Sequence, residues 1–117
     1  MTNNNIDLKG QVAVITGAGR GFGLAFARGL AEHGALPIIT DINEELGQAS
    51  AQVMTDEGLP AHFMKLDVTD PNAVEAVAQA VWKEYGRLDL WINNAGLALH
   101  GPSETLPIEH WQMGINI

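Results

Sequence analysis

Short apolar runs and helical patterns alternate along this chain, and that alternation leaves few folds open to it. Gln11 to Thr16 (QVAVIT) is a charge-free run rich in β-branched residues, the pattern of a strand buried on both faces. A glycine-rich turn follows, then Phe22 to His33, where Leu24, Phe26, Ala27, Leu30 and Ala31 recur at helical spacing and Gly34 marks the stop. Leu36 to Thr40 (LPIIT) reads as a second strand, with Pro37 expected at its beginning because proline cannot donate to a ladder. Asn43 caps a second helix that carries Glu44 and Glu45 in its first turn and ends at Gly58. Ala61 to Leu66 is a third strand. Asp70-Pro71 opens a third helix, whose predicted buried stripe is Val74, Val77, Ala78, Val81 and Trp82 and whose end is Gly86. Leu88 to Asn93 is a fourth strand, with Trp91 expected in the core. Beyond it lie a loop and the start of a helix near Ile108 to Trp111.

Such a run of βαβ units folds into a parallel sheet with helices on both faces. The expected class is α/β, a Rossmann-type doubly wound sheet of strand order 3-2-1-4, with the ligand crevice where strands 1 and 4 diverge. At 117 residues the whole chain is expected to form one domain, burying roughly two thirds of its unfolded surface. No repeat or linker divides it.

Composition narrows the partners. The formal net charge is −8, and the six Lys and Arg form no cluster, so binding to nucleic acid or an anionic membrane has no electrostatic basis. The chain has no cysteine, which excludes disulfides, thiolate metal sites and cysteine nucleophiles and is compatible with a reducing cytoplasm, the expected location. The polar opening Met1 to Asn5 has no apolar core of a signal peptide, and no apolar stretch approaches the ~18 residues of a membrane span.

The residues with chemistry begin at Thr16-Gly17-Ala18-Gly19-Arg20-Gly21-Phe22-Gly23, between a buried strand and a helix, where a phosphate-binding turn belongs. Gly17 takes the backbone out of the strand, and Gly21 lets the main chain approach a pyrophosphate at the helix N-terminus. Gly23 lets the helix pack closely. The spacing is T-G-x-x-x-G-x-G, and without Gly-Lys-Ser/Thr it is no P-loop. Asp41 ends the second strand, 18 residues after Gly23. A carboxylate there accepts the ribose hydroxyls of an adenosine and repels a 2′-phosphate, which argues for NAD. Arg20 argues the other way, as a cation able to pair with that phosphate. Ile42, not a second cation, follows Asp41, and NAD is therefore favoured over NADP.

Thr16-Gly17-x-x-x-Gly21-x-Gly23, Asp41, Leu66-Asp67-Val68 and Asn93-Asn94-Ala95-Gly96 together resemble the ordered motif set of the short-chain dehydrogenase/reductase family, from about Leu8 to the end of the chain. The resemblance implies an NAD-dependent oxidoreductase that interconverts an alcohol and a ketone or aldehyde. It implies that Asp67 accepts a hydrogen bond from the adenine amino group while the Val68 backbone lies alongside. The bland alternative for Asp67 is a cap of the following turn. Asn94, Ala95 and Gly96 line the cofactor, and Asn93 ties neighbouring strands together. Phe22 stands where the family usually has an aliphatic residue near the nicotinamide.

The same resemblance implies a catalytic Asn, Ser and Tyr-x-x-x-Lys. The one tyrosine, Tyr85, is followed four positions later by Asp89 and is expected to be a packing residue. Neither Ser50 nor Ser103 matches the family's serine. The usual spacing from Trp111 puts the catalytic Asn one position past Ile117 rather than at Asn116. The chain is thus expected to stop before the catalytic residues and to bind nucleotide without turnover. His33, His62, His100 and His110 are scattered, which makes a metal site improbable. His100 is expected to be a solvated loop residue. An alternative of another class is a self-associating module: strand 4 would be a sheet edge that seeks a partner strand, and a homo-oligomer is expected.

Overall fold

Val12 and Val14 face one side of a sheet and Ala13 and Ile15 the other, because side chains alternate along a strand. A computed structural model describes residues 7–94. Its strands are β1 (Val12–Ile15), β2 (Leu36–Asp41), β3 (His62–Lys65) and β4 (Leu90–Ile92), and its helices are α1 (Gly21–Glu32), α2 (Glu44–Asp56) and α3 (Pro71–Tyr85). The four strands form one sheet of order β3-β2-β1-β4. Every pairing is parallel, with Val14 opposite both Ile38 and Trp91. This is the expected doubly wound α/β arrangement.

Two apolar layers sandwich the sheet. On one face Val12, Val14, Ile38, Leu66 and Trp91 pack with Val74, Val77 and Val81 of α3. On the other, Ala13, Ile15 and Ile39 pack with Ala27 and Ala31 of α1 and Ala51 and Met54 of α2. Both faces are covered, which is why β1 is buried along its whole length and carries no polar residue.

Helix starts follow local chemistry. The Asn43 side chain accepts from the Leu46 amide at 3.0 Å, and Asp70 accepts from the Asn72 and Ala73 amides ahead of Pro71. The three helices end one or two residues before Gly34, Gly58 and Gly86.

Two expectations need correction. Trp82 is not part of the buried stripe of α3 but 55% exposed, and Phe26 on α1 is exposed as well. Each sits one residue, about 100° of rotation, from a position that faces the sheet (Val81 and Ala27), so it lands on the flank of its helix. Pro37 is not the first residue of β2 but lies within it, paired with Ala13. The Leu36 amide donates toward β1, to the Gln11 carbonyl at 2.8 Å, so the next nitrogen faces β3. Pairing with β3 starts only at Ile38, and the proline interrupts no ladder bond.

Candidate functional site

The site is built where β1, β2 and β4 end. The Thr16 amide still belongs to the sheet, donating to the Ile92 carbonyl at 3.0 Å, and its hydroxyl donates to Asn93 Oδ1 at 3.1 Å. Asn93 thereby ties β4 to β1, as expected. Gly17, at φ 62°, then turns the chain out of the strand, and Gly21, at φ 63°, turns it into α1. A side chain at either position would be strained.

Between those glycines the turn leans on β2 and α2. The Ala18 amide donates to the Thr40 carbonyl at 2.9 Å. The Gly19 amide donates to Asp41 Oδ2 at 3.0 Å, and the Gly19 carbonyl accepts from the Ser50 hydroxyl. A Cβ on Gly19 would lie 2.8 Å from Asp41 Oδ2 and 3.1 Å from Leu46 Cγ. Gly23 is closed in from the opposite side. A Cβ there would lie 2.5 Å from the Gly17 carbonyl oxygen and 2.8 Å from Asn94 Nδ2, and Asn94 donates to that same carbonyl at 3.2 Å. The close approach that Gly23 permits is therefore to the turn and Asn94.

The outer side of the turn is open among the described residues. A Cβ on Gly21 would meet none of their atoms within 4 Å. Arg20, in extended backbone, is the N-cap of α1 and offers no side-chain cap, and the first turn of α1 carries no acid. The helices that begin at Asn43 and Asp70 are both capped by a side chain, whereas among the described residues no side chain caps the first turn of α1. Phe22, 80% exposed, and Ile42, 61% exposed, are large apolar side chains beside this opening.

Asp41 is half buried and uses both carboxylate oxygens, Oδ2 for Gly19 and Oδ1 for the Asn43 amide at 3.0 Å. Asp67, two residues past the end of β3, accepts from the Thr69 amide at 2.9 Å and its hydroxyl at 2.6 Å, both on Oδ1. The Thr69 hydroxyl bond, followed by the amide bond, holds the Asp67 carboxyl below its ordinary pKa. Asp67 thus caps its own turn, the plainer of its two expected roles, while no described residue donates to Oδ2. Val68 packs on the α3-side core. Ala95 and Gly96 lie outside the described residues, as do His100, Ser103, His110, Asn116 and the helix expected near Ile108.

Residues 11–117 match the profile of the short chain dehydrogenase family. The chain belongs to that family. An uncharacterized oxidoreductase of Thermotoga maritima is 36% identical over 110 residues, covering 94% of this chain and 43% of that protein. D-threitol dehydrogenase of Mycolicibacterium smegmatis is 40% identical over 111 residues, 94% of this chain and 42% of that protein. The chain therefore spans less than half the length of these curated relatives. Among solved structures, a short chain dehydrogenase/reductase from Burkholderia phymatum in complex with NAD superposes with a TM-score of 0.69 at 32% identity, over 77% of this chain and 31% of that one.

For a short chain dehydrogenase the state of Tyr85 matters. It is half buried at the end of α3, packed on the core, with its ring edge-on to His62 at a centroid distance of 6.3 Å. Burial, aided by the Glu84 charge, pushes its pKa up. Proton transfer near neutral pH needs the opposite shift, and Tyr85 is a packing residue as expected. Among the described residues no three metal-ligating side chains converge, and no helix is long and apolar enough to cross a membrane. His33 is tied to its own helix, Nδ1 donating to the Gly29 carbonyl at 2.8 Å.

Sequence reasoning missed Ser50, Leu46 and the Thr40 carbonyl as supports of the turn. A signal for Ser50 did exist. With Gly47, Ala51 and Met54 it forms the helical stripe that faces the sheet, and a hydroxyl on such a stripe needs a partner.

Proposed function

We propose that this chain is the NAD-binding portion of an oxidoreductase that interconverts a small alcohol and a ketone or aldehyde. One observation carries the reading: the uncapped first turn of α1 stands beside the Asp41 carboxylate, with Gly19 joining the two. Free first-turn amides and the positive end of the helix favour a pyrophosphate. The open space over Gly21 leaves room for one, and the residues present fit such a group. A carboxylate has about four acceptor sites. Gly19 and Asn43 use two at Asp41, which leaves the others for ribose hydroxyls and repels a 2′-phosphate. Asp67 Oδ2 is proposed to take the adenine amino group, and Val68, Asn94, Ala95 and Gly96 to line the cofactor. Phe22 and Ile42 supply apolar walls. When bound, the nicotinamide would exchange a hydride with the substrate carbon. The chain alone is proposed to bind without turnover, since its one tyrosine is a packing residue.

Calorimetric titration with NAD and NADP tests the reading. NAD is expected to bind and NADP to bind more weakly. Equal affinities would remove the cofactor preference, and binding of neither would remove the proposed function. NADH formation by this chain above a buffer blank would overturn the absence of turnover.

A second reading rests on β4, which among the described residues pairs with β1 alone and so presents one unpaired edge. Such an edge favours addition of a strand from another copy. Sedimentation showing only monomer at micromolar concentration speaks against that assembly.

A further inference from the structure

Both backbone polar groups of Gly19 are held by side chains, one from the end of β2 and one from α2. Asp41 takes the N–H, and the Ser50 hydroxyl donates to the C=O. The Leu46 side chain closes the space beside the Cα. A serine inside a helix ordinarily bonds back to a carbonyl one turn earlier in its own helix. Ser50 instead reaches a carbonyl 31 residues away, in the turn. Peptide bonds among the described residues are trans, and in a trans peptide the carbonyl and the following N–H point in opposite directions. Drawing the Gly19 carbonyl toward α2 therefore aims the Arg20 N–H away from α2, and no described group accepts from it. The same bond keeps a carbonyl oxygen, which would repel a diphosphate, off the open side of the turn.

We propose that Ser50 is a positioning residue for the diphosphate: its hydroxyl turns the Gly19–Arg20 peptide so that the Arg20 amide joins the first-turn amides of α1 as a donor to the anion. The inference rests on the nucleotide-binding reading above. It assigns the serine a task that differs from simple support of α2, because only the phosphate-bearing part of a ligand should sense it.

The test titrates the full chain and its Ser50→Ala, Ser50→Thr and Ser50→Val variants with NAD, with ADP and with adenosine, which has no phosphate. Loss of one hydrogen bond that orients the peptide predicts an affinity for NAD and ADP about three- to tenfold lower in Ser50→Ala. Adenosine affinity is expected to be unchanged. Thr and Val have the same shape, so Thr binding ADP several-fold more tightly than Val isolates the hydroxyl even if the alanine variant folds poorly. Equal binding of ADP by Thr and Val, or equal losses for ADP and adenosine, overturns the proposal while leaving nucleotide binding intact. Failure of the unmodified chain to bind either NAD or ADP would instead remove the nucleotide reading itself.

Discussion

The Asp41 carboxylate holds the backbone N–H of Gly19 at 3.0 Å, joining the end of β2 to the middle of the glycine turn. A side chain first read as a ligand for ribose is therefore also a structural tie. Any substitution at Asp41 changes the shape of the turn along with its charge, which affects how such a variant is interpreted.

Asp41→Ala is expected to lower stability by about 1–3 kcal/mol, because it strands the buried Gly19 amide, and to weaken NAD binding at the same time. Asp41→Asn keeps an oxygen able to accept from Gly19 and should recover most of the stability without restoring discrimination against NADP. Urea unfolding and calorimetry on the same samples separate the two effects. An Asp41→Ala chain as stable as the original would contradict the role of the tie.

Two helical glycines should respond oppositely to alanine. Gly29 on α1 has open space where a Cβ would go, and Gly29→Ala should stabilise by about 0.5–1 kcal/mol through helix propensity. On α2 a Cβ at Gly47 would lie 2.0 Å from Phe63 Cε1. Gly47→Ala should destabilise by about 1–3 kcal/mol despite the better propensity, and adding Phe63→Leu should recover part of the loss. Thermal or urea unfolding of the three variants checks the pattern, and stabilisation by Gly47→Ala would refute it.

Gly23→Ala should abolish nucleotide binding while leaving most of the sheet intact. Its Cβ would meet main-chain atoms of Gly17 and Ala18 and the Asn94 side chain, so the turn itself must move. Calorimetry reads the first effect and circular dichroism the second.

Acid stability should depend on Asp89. Its carboxylate accepts two bonds from Arg87 and one from the Val12 amide at 2.8 Å. The Arg87 guanidinium, assisted by that amide and opposed by burial, holds the Asp89 carboxyl below its ordinary pKa. With the folded value below the unfolded one of about 3.9, the folded state binds fewer protons in between. The contribution is therefore complete above about pH 5 and is lost as the pH falls through the folded value. Asp89→Asn should lower stability at neutral pH by about 0.5–1 kcal/mol and flatten the loss on acidification. Unfolding curves across that range give both quantities.

Much of the fold was legible because its signals are local. Asn43, Asp70 and Pro71 act within one helical turn, and the charge-free run around Val14 shows that both faces of the sheet are covered. The family likeness was legible for the same reason, since its motifs sit at strand ends. Trp82 was misjudged at the flank of its helix, where one step in sequence separates core from solvent. The supports of the turn were hidden for a different reason. The Ser50–Gly19 bond and the Gly47–Phe63 approach join separate elements, and only the assembled sheet brings them together.

The fully buried positions of α1 are Gly23, which faces the turn and Asn94, and Ala27 and Ala31, which pack on the sheet. Those small groups act as shims that set how near the helix lies to the strands and at what tilt. Ala31 is about 12 Å along the axis from Gly23, so a bulkier group there would pry up the far end and swing the opposite end like a lever. The aim of the amides at the mouth is in this way governed partly by methyl groups that no ligand ever meets.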